Sequence, residues 1–388
     1  MHSVRSVSLD DEKYTLASGK IYKNKPTPVR ILRIFILFTV MVLGVYCTVS
    51  LNTIHYLGIK NMAFPTRLVL QPCIQESRKS LQSWIKPPAS VLHTMNDAEL
   101  LWRAAFAPQI ERYPYNRVPK VAFMFLTRGP LPLAPLWERF FAGNEGFYSI
   151  YVHTMPDYRA NFSRSSVFFE RQIPSQEVEW GEMNMCDAER RLLANAMLDF
   201  SNEWFILLSE SCIPLHNFTT VYSYLEESDF SFMGSFDAPG ADGRGRYNDG
   251  MAPEVTIEQW RKGSQWFEVN RELAVMIVAD TIFYYKFKNF CKPDCYVDEH
   301  YFPTMLTIYA PELLANRSLT WTDWSRGGAH PATYGEGNTT YELIEEISES
   351  NLCTYNDEIV GLCYLFARKF APSALESLLK LAPIAFGY

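Results

Sequence analysis

The sequence lacks the features that would place it in several large functional classes. It has no excess of positive charge: 36 Lys and Arg stand against 43 Asp and Glu, a formal charge of −7, which argues against a surface built for nucleic acid. It shows no collagen-like, heptad or solenoid period. Its one Gly-rich polar segment, APGADGRGRYNDGMAP (Ala238–Pro253), lacks the lysine and the spacing of a P-loop or a dinucleotide-binding turn. Nor is it poor in apolar residues. With 48% hydrophobic and 15% aromatic residues, it is not a mainly disordered chain. Its 388 residues suffice for one large domain, or two of about 150 residues each.

What is present begins with IFILFTVMVLGVYCTVSL (34–51), 18 residues without a charge. At about 1.5 Å per residue a helix of that length spans roughly 27 Å, enough for a hydrocarbon core. It lies too far from the start, and is too long, for a cleaved secretory signal. The 33 residues before it hold seven basic and three acidic side chains. Such a flank stays cytoplasmic, so the remaining chain faces the lumen or the exterior. This gives a tail (1–33), a signal-anchor helix (34–51), a proline-rich stem (52–119) and a compact domain (120–388). A buried core helix is the plainer alternative for 34–51. All four Asn-x-Ser/Thr sequons, at Asn161, Asn217, Asn316 and Asn338, fall beyond the apolar stretch. So do seven of the eight cysteines, an odd number in a compartment where thiols pair. Cys291 and Cys295 in CKPDC are close enough for a small disulfide loop. A zinc site there would need two more ligands and only His300 is near, so no metal is expected. The charge of −7, less the tail's +4, leaves −11 on the lumenal part, which argues against a polyanionic acceptor held by broad electrostatics.

Within the stem, Asn96 with Glu99 three residues on forms a capping-box pattern ahead of Leu100, Leu101, Ala104 and Ala105, which predicts a helix that docks on the domain. The domain opens with KVAFMFL (120–126), an apolar run stopped by TRGP and read as a strand. FYSIYVHT (147–154) and WFILLSES (204–211) read as further strands, and Val167 and Phe168 as the start of another. Leu133 to Phe141 and Asp187 to Phe200 have helical spacing. Strands alternating with helices predict an α/β domain with a mainly parallel sheet covered on both faces. Ligands bind such sheets beyond the carboxyl ends of the strands, so the tips Thr127–Arg128, His153–Thr154 and Ser209–Glu210–Ser211 should share one pocket edge.

Seven segments occur in order over this domain: KVAFMFLTRGPLPLAPLWERFF, FYSIYVHTMPDY, LLSESCIPLHNF, GSQWFEVNRELA, CYVDEHYFPTML, WTDWSRGGAHPATY and FARKFAP. Together they resemble the plant core-2/I-branching β-1,6-N-acetylglucosaminyltransferase-like family, related to glycosyltransferase family 14. The resemblance implies a GT-A-like nucleotide-sugar-binding domain, a UDP-sugar donor, an inverting mechanism and a glycan or glycoprotein acceptor. It also implies a type II Golgi membrane protein with its catalytic domain in the lumen, and N-acetylglucosamine as the transferred sugar. A non-catalytic carbohydrate-binding or scaffold protein on the same fold is the competing class. A glycoside hydrolase ranks last, because no second carboxyl partner is identifiable.

Transfer from a nucleotide sugar must deprotonate the acceptor hydroxyl and stabilise charge on the departing diphosphate. Many GT-A enzymes meet that charge with a metal held by Asp-x-Asp, a motif absent from this sequence. Cations, hydroxyls or helix N-termini must then do so. The animal relatives work without metal, so no cofactor is expected, and the resemblance puts a phosphate-binding lysine at Lys369. Arg326 and Arg128 are further candidates. Where the animal family has a second basic partner, this chain reads YELIEEIS and is acidic. Arg368 and Lys369 as a solvated pair on a late helix is the alternative. The resemblance places the catalytic base at Glu299, with Asp298 capping the following helix; a helix-N-terminal acid is the alternative for Glu299. His153 and Thr154 would lie near the nucleotide base or ribose, or serve structure. Glu210, Trp266, Trp321, Trp324 and Asp323 are candidates for sugar contacts, with core packing as the alternative for the tryptophans. The 238–253 segment reads as a loop closing over substrate, or as a disordered insertion.

Overall fold

A computed structural model describes residues 28–60, 86–106, 113–292, 295–349 and 352–388. The chain divides into two compact units, Met1–Arg78 and Lys79–Tyr388. In the first, α1 (Pro28–Lys60) contains the apolar stretch, and its described hydrophobic side chains from Phe35 to Val49 are exposed. The stretch also takes in residues 34 and 51, whose side chains lie outside the described ones. Among the described residues no helix is long and apolar enough to cross a membrane. The anchor expected at 34–51 is thus not established here, and it returns below as part of a proposal. The cytosolic tail lies almost wholly outside the described residues, as does the stem from 61 to 85.

In the second unit, the stem helix α2 (Asp97–Ala104) forms where the capping box predicts it. The Asn96 side chain accepts from Glu99 N at 3.0 Å, and Glu99 accepts from Asn96 N at 2.9 Å. Leu100 and Ala104 bury its inner face in the domain core. Asp97 adds a bidentate ion pair with Arg191, at 2.8 and 2.7 Å. Burial pushes the Asp97 carboxyl up, but the Arg191 guanidinium outweighs that and holds it below its ordinary value.

The central sheet has the order β2-β1-β3-β5, from β1 (Lys120–Leu126), β2 (Tyr148–His153), β3 (Asn202–Ser209) and β5 (Glu268–Asn270). β1 pairs in parallel with β2 and β3, while β5 closes the edge antiparallel to β3. Alternation along β1 divides the core. Ala122, Met124 and Leu126 pack beneath α4 (Met183–Met197), and Val121, Phe123 and Phe125 pack against α3 (Ala134–Phe141) and α5 (Phe218–Glu226). Both faces are covered, as a mainly parallel sheet requires. β4 (Ile213–Pro214), β6 (Thr320–Thr322) and β9 (Phe366–Arg368) make a second sheet in the order β4-β9-β6, and β7 (Cys353–Tyr355) pairs antiparallel with β8 (Glu358–Val360). Helices α6 (Arg271–Ala279), α7 (Phe283–Phe290) and α8 (Tyr301–Tyr309) follow β5 in the chain.

One local expectation and one alternative fail. Val167 and Phe168 start no strand: Phe168 sits in a turn, fully buried against Phe125 and Phe162. Arg368 and Lys369 lie at the end of a strand rather than on a late helix. Disulfides join Cys291 to Cys295 and Cys353 to Cys363. Of the sequons, Asn161 and Asn338 are exposed, Asn316 accepts from Ser235 N, and Asn217 caps α5 by accepting from Thr220 N at 2.9 Å.

Candidate active site

A cleft of about 1780 Å³ opens beyond the carboxyl ends of β1 and β3, where Thr127–Arg128 and Ser209–Ser211 line it. Lys262–Trp266, Asp298–Glu299 and Arg368–Phe370 complete the wall and floor. The cleft gathers Arg128, Glu210, Trp266, Trp324, Glu299 and Lys369 from the sequence-predicted residues. It does not take in His153, Thr154, Arg326, Trp321 or Asp323.

Glu299 ends a single 3-10 turn, Val297–Glu299, entered through Tyr296 in the left-handed region at φ 54°. Val297 is fully buried and anchors the turn in the core. The next residue, His300, stacks on Trp260 with centroids 4.6 Å apart, and its Nδ1–H donates to Arg261 O at 2.7 Å. Burial pushes His300 down to about 3, so it is a neutral wedge under the turn. Glu299 Oε2 accepts from Arg246 Nη1 at 3.0 Å and from Lys262 Nζ. Among the described residues Oε1 has no hydrogen-bond partner, which leaves it available to a hydroxyl in the cleft.

The turn is also tied through its backbone, since Gly263 N donates to Glu299 O at 2.7 Å. A Cβ on Gly263 would stand 2.0 Å from Gly234 O and 2.7 Å from Pro303 Cγ. Gly263→Ala is therefore expected to push the Lys262–Trp266 wall away from Glu299, costing about 1–3 kcal/mol as overpacking does. A thermal unfolding curve superimposing on the wild type would contradict this close packing.

Asp298 caps no helix. α8 begins at Tyr301, preceded by His300, and the Asp298 side chain turns inward, 4% exposed. The Gly-rich 238–253 segment is ordered where a disordered insertion was the alternative. Two short turns, Arg244–Arg246 and Asp249–Met251, shape it, Trp260 Nε1 donates to Gly243 O at 3.0 Å, and Arg246 lies 4.5 Å over the Tyr296 ring. Its contact with Glu299 makes it a wall of the cleft.

The cleft lining also carries a cluster of basic side chains, Arg128, His330, Arg368 and Lys369. Arg368 is half-buried, its guanidinium lies 4.0 Å over the Trp266 ring, and among the described residues its enclosed Nε has no hydrogen-bond partner. Among the described residues no carboxylate comes within ion-pair distance of it. Burial, then the fields of Arg368 and Arg128, push Lys369 down. His330 is lowered by burial, Lys369, Arg128 and Arg368. Arg128, Arg368 and Lys369 thus repel one another, with His330 lowered beside them and Glu210 the acid whose field opposes Arg368 and Lys369 most directly. This concentration of positive charge suits a multiply charged anion. Three aromatic side chains, Trp180, Trp324 and Phe236, are about half exposed on the cleft lining, at 46%, 50% and 51%. They offer faces to sugar rings.

The remaining candidates support the walls. His153 is buried with Nε2 accepting from Arg191 Nη1 at 3.0 Å, and burial drives it down to about 3. Thr154 is likewise buried and accepts from Gln172 Nε2 at 2.7 Å. Asp323 accepts from Tyr334 OH at 2.7 Å and Ser325 N at 2.8 Å, pinning the 323–334 loop, and Arg326 acts on that pair from outside. Trp321 packs on Tyr334 with centroids 6.1 Å apart. Sequence reasoning missed Lys262, Trp180, His330 and the burial of Arg368. Only Arg368, beside Lys369, and Arg246, in the Gly-rich segment, carried a signal.

A model of the Core-2/I-Branching enzyme family matches residues 121–348, which takes in Glu299 and its two cations but stops short of Arg368 and Lys369. The sequence is 37% identical over 313 residues to "Glycosyltransferase BC10" of Oryza sativa subsp. japonica, covering 69% of this chain and 77% of that protein.

Proposed function

As this chain belongs to the core-2/I-branching enzyme family and is a glycosyltransferase, we propose that it transfers a sugar from a UDP-sugar to a hydroxyl of a glycan or glycoprotein, with inversion. The observation that carries this reading is one cleft lined both by a carboxylate with one open oxygen and by cations that, among the described residues, have no ion-pair partner. In the step proposed, Glu299 Oε1 takes the acceptor hydroxyl's proton as that oxygen bonds to the anomeric carbon. The bond from the anomeric carbon to the diphosphate oxygen breaks, and UDP leaves with its electron pair. Arg368, Lys369 and Arg128 meet the developing charge. One displacement with one base gives inversion, without a covalent glycosyl-enzyme.

The donor sugar proposed is N-acetylglucosamine, and the setting is the Golgi lumen, with residues 34–51 as a type II signal anchor and the sequons glycosylated. Among the described residues no group of three or more His, Cys, Asp or Glu could hold a metal ion, and the reading assigns the leaving group to cations alone. Incubating the purified full chain with a panel of UDP-sugars and glycan acceptors, and reading UDP release, tests the reading. One donor should stand out, with its rate retained in EDTA. No acceptor-dependent release from any donor would sink the transferase proposal. A rate abolished by EDTA and restored by manganese would sink its metal-free form.

A further inference from the structure

The residue that leads into the Glu299 turn is an unusual type for its backbone. Tyr296 sits at φ 54° and ψ 71°, in the left-handed region where Gly or Asn is at ease and a bulky side chain crowds its own backbone. Such strain persists only where the surroundings impose it, and it gathers at working sites. Core packing does not supply the reason. Tyr296 is half-buried on the cleft lining, and the turn's anchor in the core is its neighbour Val297.

Three neighbours meet the Tyr296 ring. Arg246 Cζ stands 4.5 Å over it. Trp180 packs against it with centroids 4.8 Å apart and planes at 55°, and Trp180 in turn meets His330 at 5.0 Å. Gly181, at φ 83°, brings its backbone alongside: a Cβ there would lie 3.4 Å from Tyr296 Cδ1. Of the three, Arg246 is the link to the base. Its Nη1 donates to Glu299 Oε2 at 3.0 Å, while its Nη2 reaches Asp242 at 3.4 Å. The Asp242 side chain is 84% exposed, so that second pair holds Arg246 only weakly.

We propose that Tyr296 is a positioning residue for Glu299: its ring, propped by Trp180 and Gly181, holds the Arg246 guanidinium on Glu299 Oε2 and so keeps Oε1 turned to the acceptor hydroxyl. The proposal deepens the transferase reading above and rests on it. An aromatic face attracts a guanidinium through the ring's quadrupole and leaves the N–H edge free to donate. That suits a cation set between two carboxylates. Lys262 Nζ also donates to Oε2, but an ammonium on a flexible stem is a point charge that sets distance rather than direction. Without the ring, Arg246 can pivot toward Asp242, and Glu299, left with Lys262, can turn about its own side-chain bonds.

Two variants of the full chain separate the ring from the rest of the residue. Tyr296→Asn removes the ring and accepts left-handed backbone, so the turn can still form. Tyr296→Phe keeps the ring and loses only the hydroxyl. In the transfer assay Tyr296→Asn should lose about tenfold or more in kcat, with KM for the donor within about twofold, as expected of a misplaced base. Tyr296→Phe should match the wild type. The second readout is labelling with phenylglyoxal, an arginine-selective dicarbonyl, followed at Arg246 by peptide mass spectrometry. The Arg246 side chain is 15% exposed, and it should react about two- to fivefold faster in Tyr296→Asn and at the wild-type rate in Tyr296→Phe. A loss in Tyr296→Phe equal to that in Tyr296→Asn overturns the proposal, because the hydroxyl rather than the ring would then matter. A raised KM at unchanged kcat also overturns it, making Tyr296 a binding surface. Unchanged labelling in Tyr296→Asn overturns the hold of the ring on Arg246. Labelling needs no turnover, so a chain inactive toward every UDP-sugar would sink the transferase reading while the hold on Arg246 is still decided.

Discussion

Replacing Glu299 with Gln reduces sugar transfer by about 10²–10⁴-fold, the usual contribution of a positioned general base, and leaves the fold intact. Glutamine preserves the shape of the side chain and an oxygen for Lys262 and Arg246, so the wall keeps a polar partner there. What disappears is the capacity to accept a proton at Oε1, the oxygen with no hydrogen-bond partner among the described residues. KM for the donor should change much less than kcat, because the proposed diphosphate site is Arg368, Lys369 and Arg128 rather than Glu299. Near-normal turnover in Glu299→Gln would refute the assignment of the base. A scaffold protein on this fold would instead keep its biological role in the variant, and complementation of a null mutant separates the two.

Arg368→Met moves stability and binding in opposite directions. The protein keeps this side chain half-buried with its Nε enclosed, over the Trp266 ring and, among the described residues, without a carboxylate partner. Replacing buried charge by an apolar side chain of similar volume is commonly neutral or stabilising by about 1–4 kcal/mol. Methionine keeps the stem against the indole ring. UDP, however, loses a charge-assisted contact of about 1.5–3 kcal/mol, so its Kd rises about tenfold to a hundredfold. Calorimetric titration with UDP and a thermal melt of the same preparation test both halves. Unaltered UDP affinity would move the diphosphate elsewhere in the cleft, and a lowered Tm would show that Arg368 is held by the fold itself.

Much of the fold was legible because its signals are local. β1 and β3 are runs of apolar residues ended by polar tips, and Asn96 and Glu99 mark a helix start whatever lies around them. The antiparallel edge strand β5 was not, because its Glu268 reads as a surface acid. In the fold that carboxyl is fully buried and accepts from Leu319 N and Thr320 Oγ1, 51 and 52 residues away. Val167 and Phe168 failed as a strand because a short apolar pair looks alike in a strand and in a packed turn. At the site, Glu299, Lys369, Arg128 and Glu210 were placed in the cleft by motif and by strand ends. Lys262 and Trp180 gave no sign, since only the folded chain brings them beside residues far away in sequence. Asp298 followed a capping rule that assumes a helix begins at once, but the intervening turn rotates its side chain into the floor.

The ion pair between Asp97 and Arg191 has a bearing on where the chain can be cut. Arg191 is almost fully buried, and among the described residues its other side-chain hydrogen bond is with neutral His153. A protease that severed the chain near residue 119, at the apparent end of the stem, would carry α2 away with the discarded piece. It would strand a guanidinium inside the domain and uncover the surface that Leu100 and Ala104 occupy. A folded fragment of the domain must therefore begin upstream of Asn96.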